Sequence, residues 1–225
     1  MKLFQKKKQT DLPAFWKDYS NQFINKLPVN INENEFVIFD TETTGFSFDK
    51  DRILSIGAVK LINKNILVKK SFEVYISQTH YDSNSAEIHG ILKKGNKECI
   101  TEIEALEQFL TYIKNHVLVG HHVLFDIAMV NEALKRNGLP KLKNKTLDTG
   151  LLYKRTLLTT AVLQKKEQYS LDDLAEKFNI SKKDRHTALG DAYITVIAFL
   201  AILDKLKPKS LVDLIKKQKP PKFGL

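Results

Sequence analysis

Two acids one residue apart, Asp40 and Glu42, close the apolar run of FVIFDTETTGF at residues 36–46. Such a run reads as a buried strand, along which side chains alternate faces, so both carboxylates point the same way from its end. Held together away from water, they repel and raise each other's pKa. A hard divalent cation such as Mg²⁺ reverses that penalty, because it prefers carboxylate oxygens. A structural pair that caps the following loop fits the same residues, and two acids alone do not choose between the readings.

Two further acids recur downstream in strand-to-helix settings. GHHVLFDIAMV, 120–130, puts Asp126 in the first turn of a helix that directly follows the strand-like HVLVG. A lone acid there is ordinarily a partner for the helix dipole. HTALGDAYIT, 186–195, sets Asp191 at the border of the apolar stretch of the last long helix, where an acid is costly without a partner. His186 precedes it by five residues. Inside one helix the two would stand about 140° apart. They serve one site only if His186 lies on the incoming loop or first turn, and the preceding SKKDR reads as a loop.

The elements that must position these groups follow from periodicity. Residues 12–27 place Leu12, Phe15, Trp16, Tyr19, Phe23 and Leu27 at helical spacing. This predicts an amphipathic helix packed on the domain, with a partner site as the alternative use of its apolar face. Residues 35–40, 52–62 and 66–76 read as strands, the last two joined as a hairpin across Asn63, Lys64 and Asn65. Thr101 and Glu104 form a capping box before a helix that buries Ile103, Leu106, Leu110 and Ile113. After HVLVG comes a helix from about Phe125 to Asn137, stopped by Gly138 and Pro140. A short strand precedes Asp148, Ser170 with Asp173 caps a helix carrying Leu171, Leu174 and Phe178, and the last long helix spans about Thr187 to Leu206. A meander followed by alternating strands and helices predicts an α/β fold, with a mixed five-stranded sheet covered by helices on both faces. The first strand should be central, between the hairpin and two short parallel strands. The segments are a basic, helical extension at 1–34, the main domain at 35–206 and a basic tail at 207–225.

The chain's 225 residues suit a single core. Its 43% apolar and 28% charged residues exclude disorder. The net charge of +10, from 36 basic and 26 acidic residues, fits solubility alone or a polyanionic partner such as nucleic acid. An anionic membrane is the weaker fit, because no strongly basic amphipathic helix with a greasy face is evident. ITVIAFLAIL, 194–203, is half the length of a membrane span. With Cys99 as the sole cysteine and no apolar signal segment after the N-terminal lysines, a cytoplasmic location is expected. Residues 205–225 hold seven lysines and one acid, and the 153–169 segment, a loop or irregular helix, has basic ends. Each is either a solvated surface or a phosphate-contacting one.

Taken in order, DTETTG, GHHVLFD and HTALGD resemble the DEDDh group of 3′–5′ exonucleases. This is the DnaQ-like branch of the ribonuclease H-like superfamily, which includes the proofreading subunit of bacterial DNA polymerase III. The resemblance covers about residues 35–205, and IHGI at 88–91 and LDTGLLYKR at 147–155 resemble secondary features of the group. It implies that Asp40, Glu42, Asp126 and Asp191 bind two divalent cations, Mg²⁺ with Mn²⁺ able to substitute, and that His186 is the general base. Asp40, Glu42 and Asp191 would surround one ion, with Asp40 reaching the second and Asp126 acting there, partly through water. An ordinary imidazole titrates near pH 6.5, which suits a base at neutral pH.

The resemblance also brings Thr41, Thr44, Gly45, His89, His121 and Phe125 toward the substrate, the last as a base-stacking side chain; a plain turn that uses Gly45, a helix-end His89 and a core Phe125 fit the same residues. At His122 the proofreading group usually has Asn, a departure that touches this position and not the acids. Asp148 reads as a helix cap or a group that supports the ligands without being one, and His80 and His116 receive no functional role. The implied activity is 3′–5′ exonucleolytic release of nucleoside 5′-monophosphates, with single-stranded DNA ends favoured, in repair or proofreading. A polymerase or clamp is a conceivable partner, although the tail shows no docking motif. The rivals are an RNA trimmer like oligoribonuclease or ribonuclease T, and a non-catalytic nucleic-acid-binding module.

Overall fold

Strand β1, Glu35–Thr43, forms the axis of the fold. It pairs antiparallel with β2, Ile53–Ile62, and parallel with β6, Val117–Gly120. The computed structural model describes residues 12–78, 89–91, 97–157 and 168–219. His80, residues 158–167 of the basic-ended segment and residues 220–225 of the tail lie outside the described residues. Among the described residues the sheet has seven strands, with the path β5-β4-β2-β1-β6-β7 and β3 paired to β2. Here β3 is Asn65–Ile66, β4 Phe72–Ile76, β5 Cys99–Ile100 and β7 Thr146–Asp148. The first strand is central, as expected, with the hairpin on one side and the parallel pair β6 and β7 on the other.

The count exceeds five for two reasons. The segment read as one strand over 66–76 is broken. Ile66 faces Leu61 and Phe72 faces Ala58, so residues 67–71 stand against Val59 and Lys60 alone. The excess is folded into a 3₁₀ turn at Val68–Lys70. The second reason is β5, a two-residue strand parallel to β4. The hairpin turn itself is as read. Asn63 and Lys64 both take positive φ, 46° and 61°, as tight two-residue hairpins require.

Helices cover both faces. On one, α1 (Ala14–Asn21), α2 (Glu102–Ile113) and α3 (Leu124–Arg136) pack on the face carrying Val37 and Phe39. On the other, α4 (Thr149–Thr156), α5 (Leu171–Lys177) and α6 (Ala188–Leu206) pack on the face carrying Phe36 and Ile38. Both predicted capping boxes form, Thr101 with Glu104 and Ser170 with Asp173. The N-terminal helix is shorter than its apolar spacing suggests, because a 3₁₀ turn takes over at Gln22–Ile24. It docks on the domain through buried Trp16 and Tyr19, and the Tyr19 hydroxyl donates to Asn144 Oδ1 at 2.6 Å.

The lysine-rich stretch after Leu206 is not wholly solvated. It contains α7, Leu211–Lys217, whose Leu211 and Leu214 enter the second core. Just beyond it, the Gln218 side chain donates to Thr146 O and accepts from Asp148 N–H, closing the open edge of β7.

Candidate active site

Strand alternation decides where each acid points. Phe36 and Ile38 face α6, so Asp40 and Glu42, next on the same side, face α6 as well. The first turn of α6 carries Asp191, which is only 6% exposed. Carboxylate oxygens of Asp40, Glu42 and Asp191 all lie within 4.8 Å of one another. The interleaved Thr41 points to the opposite face. There its hydroxyl and backbone N–H donate to Asp126 Oδ1 at 2.7 and 3.1 Å. Asp126 thereby sits behind β1, outside the tight three-acid group but close enough to raise the pKa of both Asp40 and Glu42. A bulge between Glu42 and Thr43 ends the regular register where the acids emerge.

The electrostatics are those of a site built for a cation. Burial, then the charges of Asp126, Asp191 and Glu42, holds Asp40 well above the usual carboxylate range. Burial, then Asp191 and Asp126, pushes Glu42 up to about 7. Burial also pushes Asp126 to about 7 against its bonds to Thr41, and raises Asp191 against the pull of Arg185. Asp191 Oδ1 is buried and has no hydrogen-bond partner among the described residues. An unsatisfied carboxylate oxygen on one of three clustered acids fits a hard divalent ion, which relieves both the desolvation and the repulsion.

His186 stands where one site requires it, in the turn before α6. Its backbone is left-handed, with φ 64°, and its side chain is exposed. It lies near enough to lower the pKa of Asp191.

The exonuclease family profile, RNase_T, matches residues 37–199. The chain belongs to this exonuclease family. Family membership implies divalent metals, and the donor set fits them. DNA polymerase III PolC-type from Caldanaerobacter subterraneus subsp. tengcongensis is 36% identical over 176 residues, 78% of this chain but 12% of that polymerase. A DNA polymerase III subunit epsilon-like protein from Rhodobacter capsulatus is 34% identical over 183 residues, 78% of this chain and 25% of that protein. The chain thus spans a small part of the length of these relatives. Among solved structures, E. coli exonuclease I in complex with a dT13 oligonucleotide superposes with a TM-score of 0.65 at 17% identity. That match covers 77% of this chain and 42% of the other. Exonuclease X in complex with 5′ overhanging duplex DNA gives 0.61 at 19% identity, over 82% and 99% of the two chains. These likenesses establish a ribonuclease H-like exonuclease fold.

Around the clustered acids, the neighbouring residues divide by what their polar atoms touch. Thr44 is fully buried, and its hydroxyl donates to Asp51 and accepts from Arg52 N–H. It closes the 44–52 loop through this hydroxyl. Gly45 leaves room for the Asp51 carboxylate, which an added Cβ would meet at 2.6 Å. His121 is also turned inward. Its ring nitrogens lie 3.0 Å from Thr149 Oγ1 and 2.8 Å from Tyr169 O, and burial drives its pKa down to about 4. It braces α4 through Thr149, and both of its ring nitrogens are engaged within the fold. Asp148 caps α4 as expected, accepting from Leu151 N–H. His122 takes left-handed backbone, φ 56°, a region in which Asn and His are both enriched, so His replaces the group's usual Asn without strain. His89 lies beside the Thr43 backbone with Nε2 buried, at the strand end that carries the acids, and its Nδ1 accepts from Ile91 N–H.

Phe125 is half-buried and joins two rings that sequence reasoning missed. Phe46 and Phe48 lie 5.8 and 5.7 Å from it and are 84% and 45% exposed. Two bulky apolar residues within five positions of an acid-bearing strand end were the available signal. Arg185 was also missed. It donates through Nη1 to Asp191 Oδ2, and through Nε and Nη2 to Asp172 at 3.0 and 3.3 Å.

Proposed function

We propose that this chain is a metal-dependent 3′–5′ exonuclease that trims single-stranded DNA ends to nucleoside 5′-monophosphates, in repair or proofreading. The observation that carries this reading is the cluster of half-buried Asp40 and Glu42 with buried Asp191, one of whose oxygens has no hydrogen-bond partner among the described residues, beside an exposed imidazole. Asp40, Glu42 and Asp191 would hold one divalent ion, and Asp40 with Asp126 a second, Mg²⁺ or Mn²⁺ in each. Bound there, such ions would supply Lewis-acid chemistry, lowering the pKa of a water and offsetting charge on the scissile phosphate and the leaving 3′-oxygen. His186 takes the proton of that water, and its exposed turn lets solvent carry the proton away. The exposed Phe46 and Phe48 rings, backed by Phe125, offer flat apolar surfaces on which bases of a single strand stack. DNA is favoured as substrate by the two structural relatives that hold it.

The deciding experiment incubates the pure protein with Mg²⁺ and end-labelled strands. Linear single-stranded DNA is expected to yield mononucleotides, a closed circle to remain intact, and EDTA to stop the reaction. A cut circle, or turnover indifferent to EDTA, overturns the reading. RNA of the same sequence in a parallel lane separates the DNA enzyme from an RNA trimmer. Binding with no mononucleotide released would identify a non-catalytic module.

Two predictions follow from the site. In His186→Ala, kcat falls roughly 10²–10⁴-fold, the usual worth of a general base, while Mn²⁺ affinity stays near that of the wild type. Turnover close to wild type would remove His186 from the mechanism. In Phe46→Ala with Phe48→Ala, KM for single-stranded DNA rises about 5- to 100-fold, because base stacking is worth ~1–3 kcal/mol. An unchanged KM would show that bases do not touch these rings.

A further inference from the structure

A guanidinium beside a cation site requires a reason, since it repels the ion the site exists to bind. Arg185 has one. Its side chain is 17% exposed and its plane is fixed from two sides. Nε and Nη2 engage both oxygens of Asp172 on α5, which leaves Nη1 aimed at Asp191 Oδ2. Asp191 therefore has its two oxygens in different hands. Oδ2 is taken by Arg185, and Oδ1 is buried and open. Gly190 makes the reach feasible. An added Cβ there would come within 1.9 Å of Asp184 O, so the turn carrying Arg185 and His186 lies directly against the first turn of α6.

We infer that Arg185 is a positioning residue that divides the Asp191 carboxylate, holding Oδ2 so that Oδ1 alone faces the cation, and that Asp172 anchors it and with it the turn bearing His186. The inference rests on the metal-dependent reading above. A planar fork does this and an ammonium does not, because only the fork bonds to two carboxylates in fixed directions. The positioning and the charge of Arg185 have opposite consequences for metal binding. If its charge were all that mattered, removing it would tighten the site. If its geometry matters, removing it loosens Asp191 and weakens the site.

The test titrates Mn²⁺ calorimetrically into the full chain without nucleic acid. The wild type is expected to bind. Arg185→Met should bind roughly 10–100-fold more weakly, the usual cost of losing a group that orients a metal ligand. Arg185→Lys keeps the charge and loses the fork, and it should not recover the affinity. Asp172→Asn, which removes the charge and one of the two oxygens that hold the guanidinium on α5, should weaken Mn²⁺ binding several-fold. At saturating Mn²⁺ it should still lower kcat with KM for single-stranded DNA unchanged, which reports the displaced His186. Thermal melts of each variant check the fold, and if Arg185→Met does not fold, Arg185→Lys and Asp172→Asn must both weaken binding. Folded variants that bind Mn²⁺ as tightly as the wild type, or more tightly, overturn the positioning role while leaving the metal reading intact. A wild type that binds no Mn²⁺ overturns both.

Discussion

Asp40→Asn abolishes turnover, by 10³-fold or more on the order of magnitude of metal-assisted catalysis, and makes the metal-free protein more stable at pH 8. The first effect follows from position. A carboxylate oxygen of Asp40 lies within 4.8 Å of oxygens of Glu42 and Asp191, and Asp40 is proposed as the acid common to both ions. The second follows from linkage. Burial and three neighbouring acids raise the folded-state pKa of Asp40, while an unfolded chain lets it ionise near pH 4. Between those two pKa values the unfolded state binds fewer protons than the folded state, so stability falls as pH rises. Glu42 and Asp126, both pushed to about 7, act in the same direction and place the loss between about pH 4 and pH 7. The metal-free wild type should therefore show a melting temperature that declines across this window. Mn²⁺ should restore it by binding the folded state alone. Asp40→Asn removes one buried charge, so its decline is shallower and its Mn²⁺ response is lost. Scanning fluorimetry at four pH values, with and without Mn²⁺, reads all three. A steep wild-type-like decline in the mutant would mean that Asp40 is not part of the repelling cluster.

Different kinds of signal explain what the sequence disclosed. The acids were legible because residue type and strand alternation fix where Asp40 and Glu42 point, and the order of three motifs ties Asp126 and Asp191 to them. The caps at Thr101 and Ser170 were legible because each pairs a side chain with backbone three residues away. The break at Val68–Lys70 was not, since it arises from a register mismatch with β2 that no local pattern records. Thr44 and His121 illustrate another limit. Their types suit substrate contact, yet their polar atoms are taken by Asp51 and Arg52 in one case, and by Thr149 and Tyr169 in the other. Only the folded chain shows which partner a polar group has found. Arg185 was hidden for the same reason: inside SKKDR it reads as one more solvated cation, and its contact with Asp191 depends on a turn that Gly190 permits.

Gly57→Ala is expected to cost about 3 kcal/mol or more and to eliminate Mn²⁺ binding, although residue 57 touches no ion. Glycine inside a central strand weakens it and often marks a close backbone approach. Here the register pairs Gly57 with Asp40, and its missing side chain faces α6. An added Cβ would come within 2.1 Å of Leu189 N, 2.3 Å of Ala188 C and 2.4 Å of Leu189 Cα. These are backbone atoms, so no rotamer change relieves the contact. The first turn of α6 must lift from the sheet, and Asp191, two residues beyond Leu189, lifts with it and leaves Asp40 and Glu42. A thermal melt paired with Mn²⁺ calorimetry separates the two consequences. A Gly57→Ala protein that melts and binds as the wild type does would show that α6 can yield without dispersing the acids. Its failure in both measurements would show that one absent methyl group, on a strand two registers from Glu42, sets how closely the third carboxylate approaches the other two.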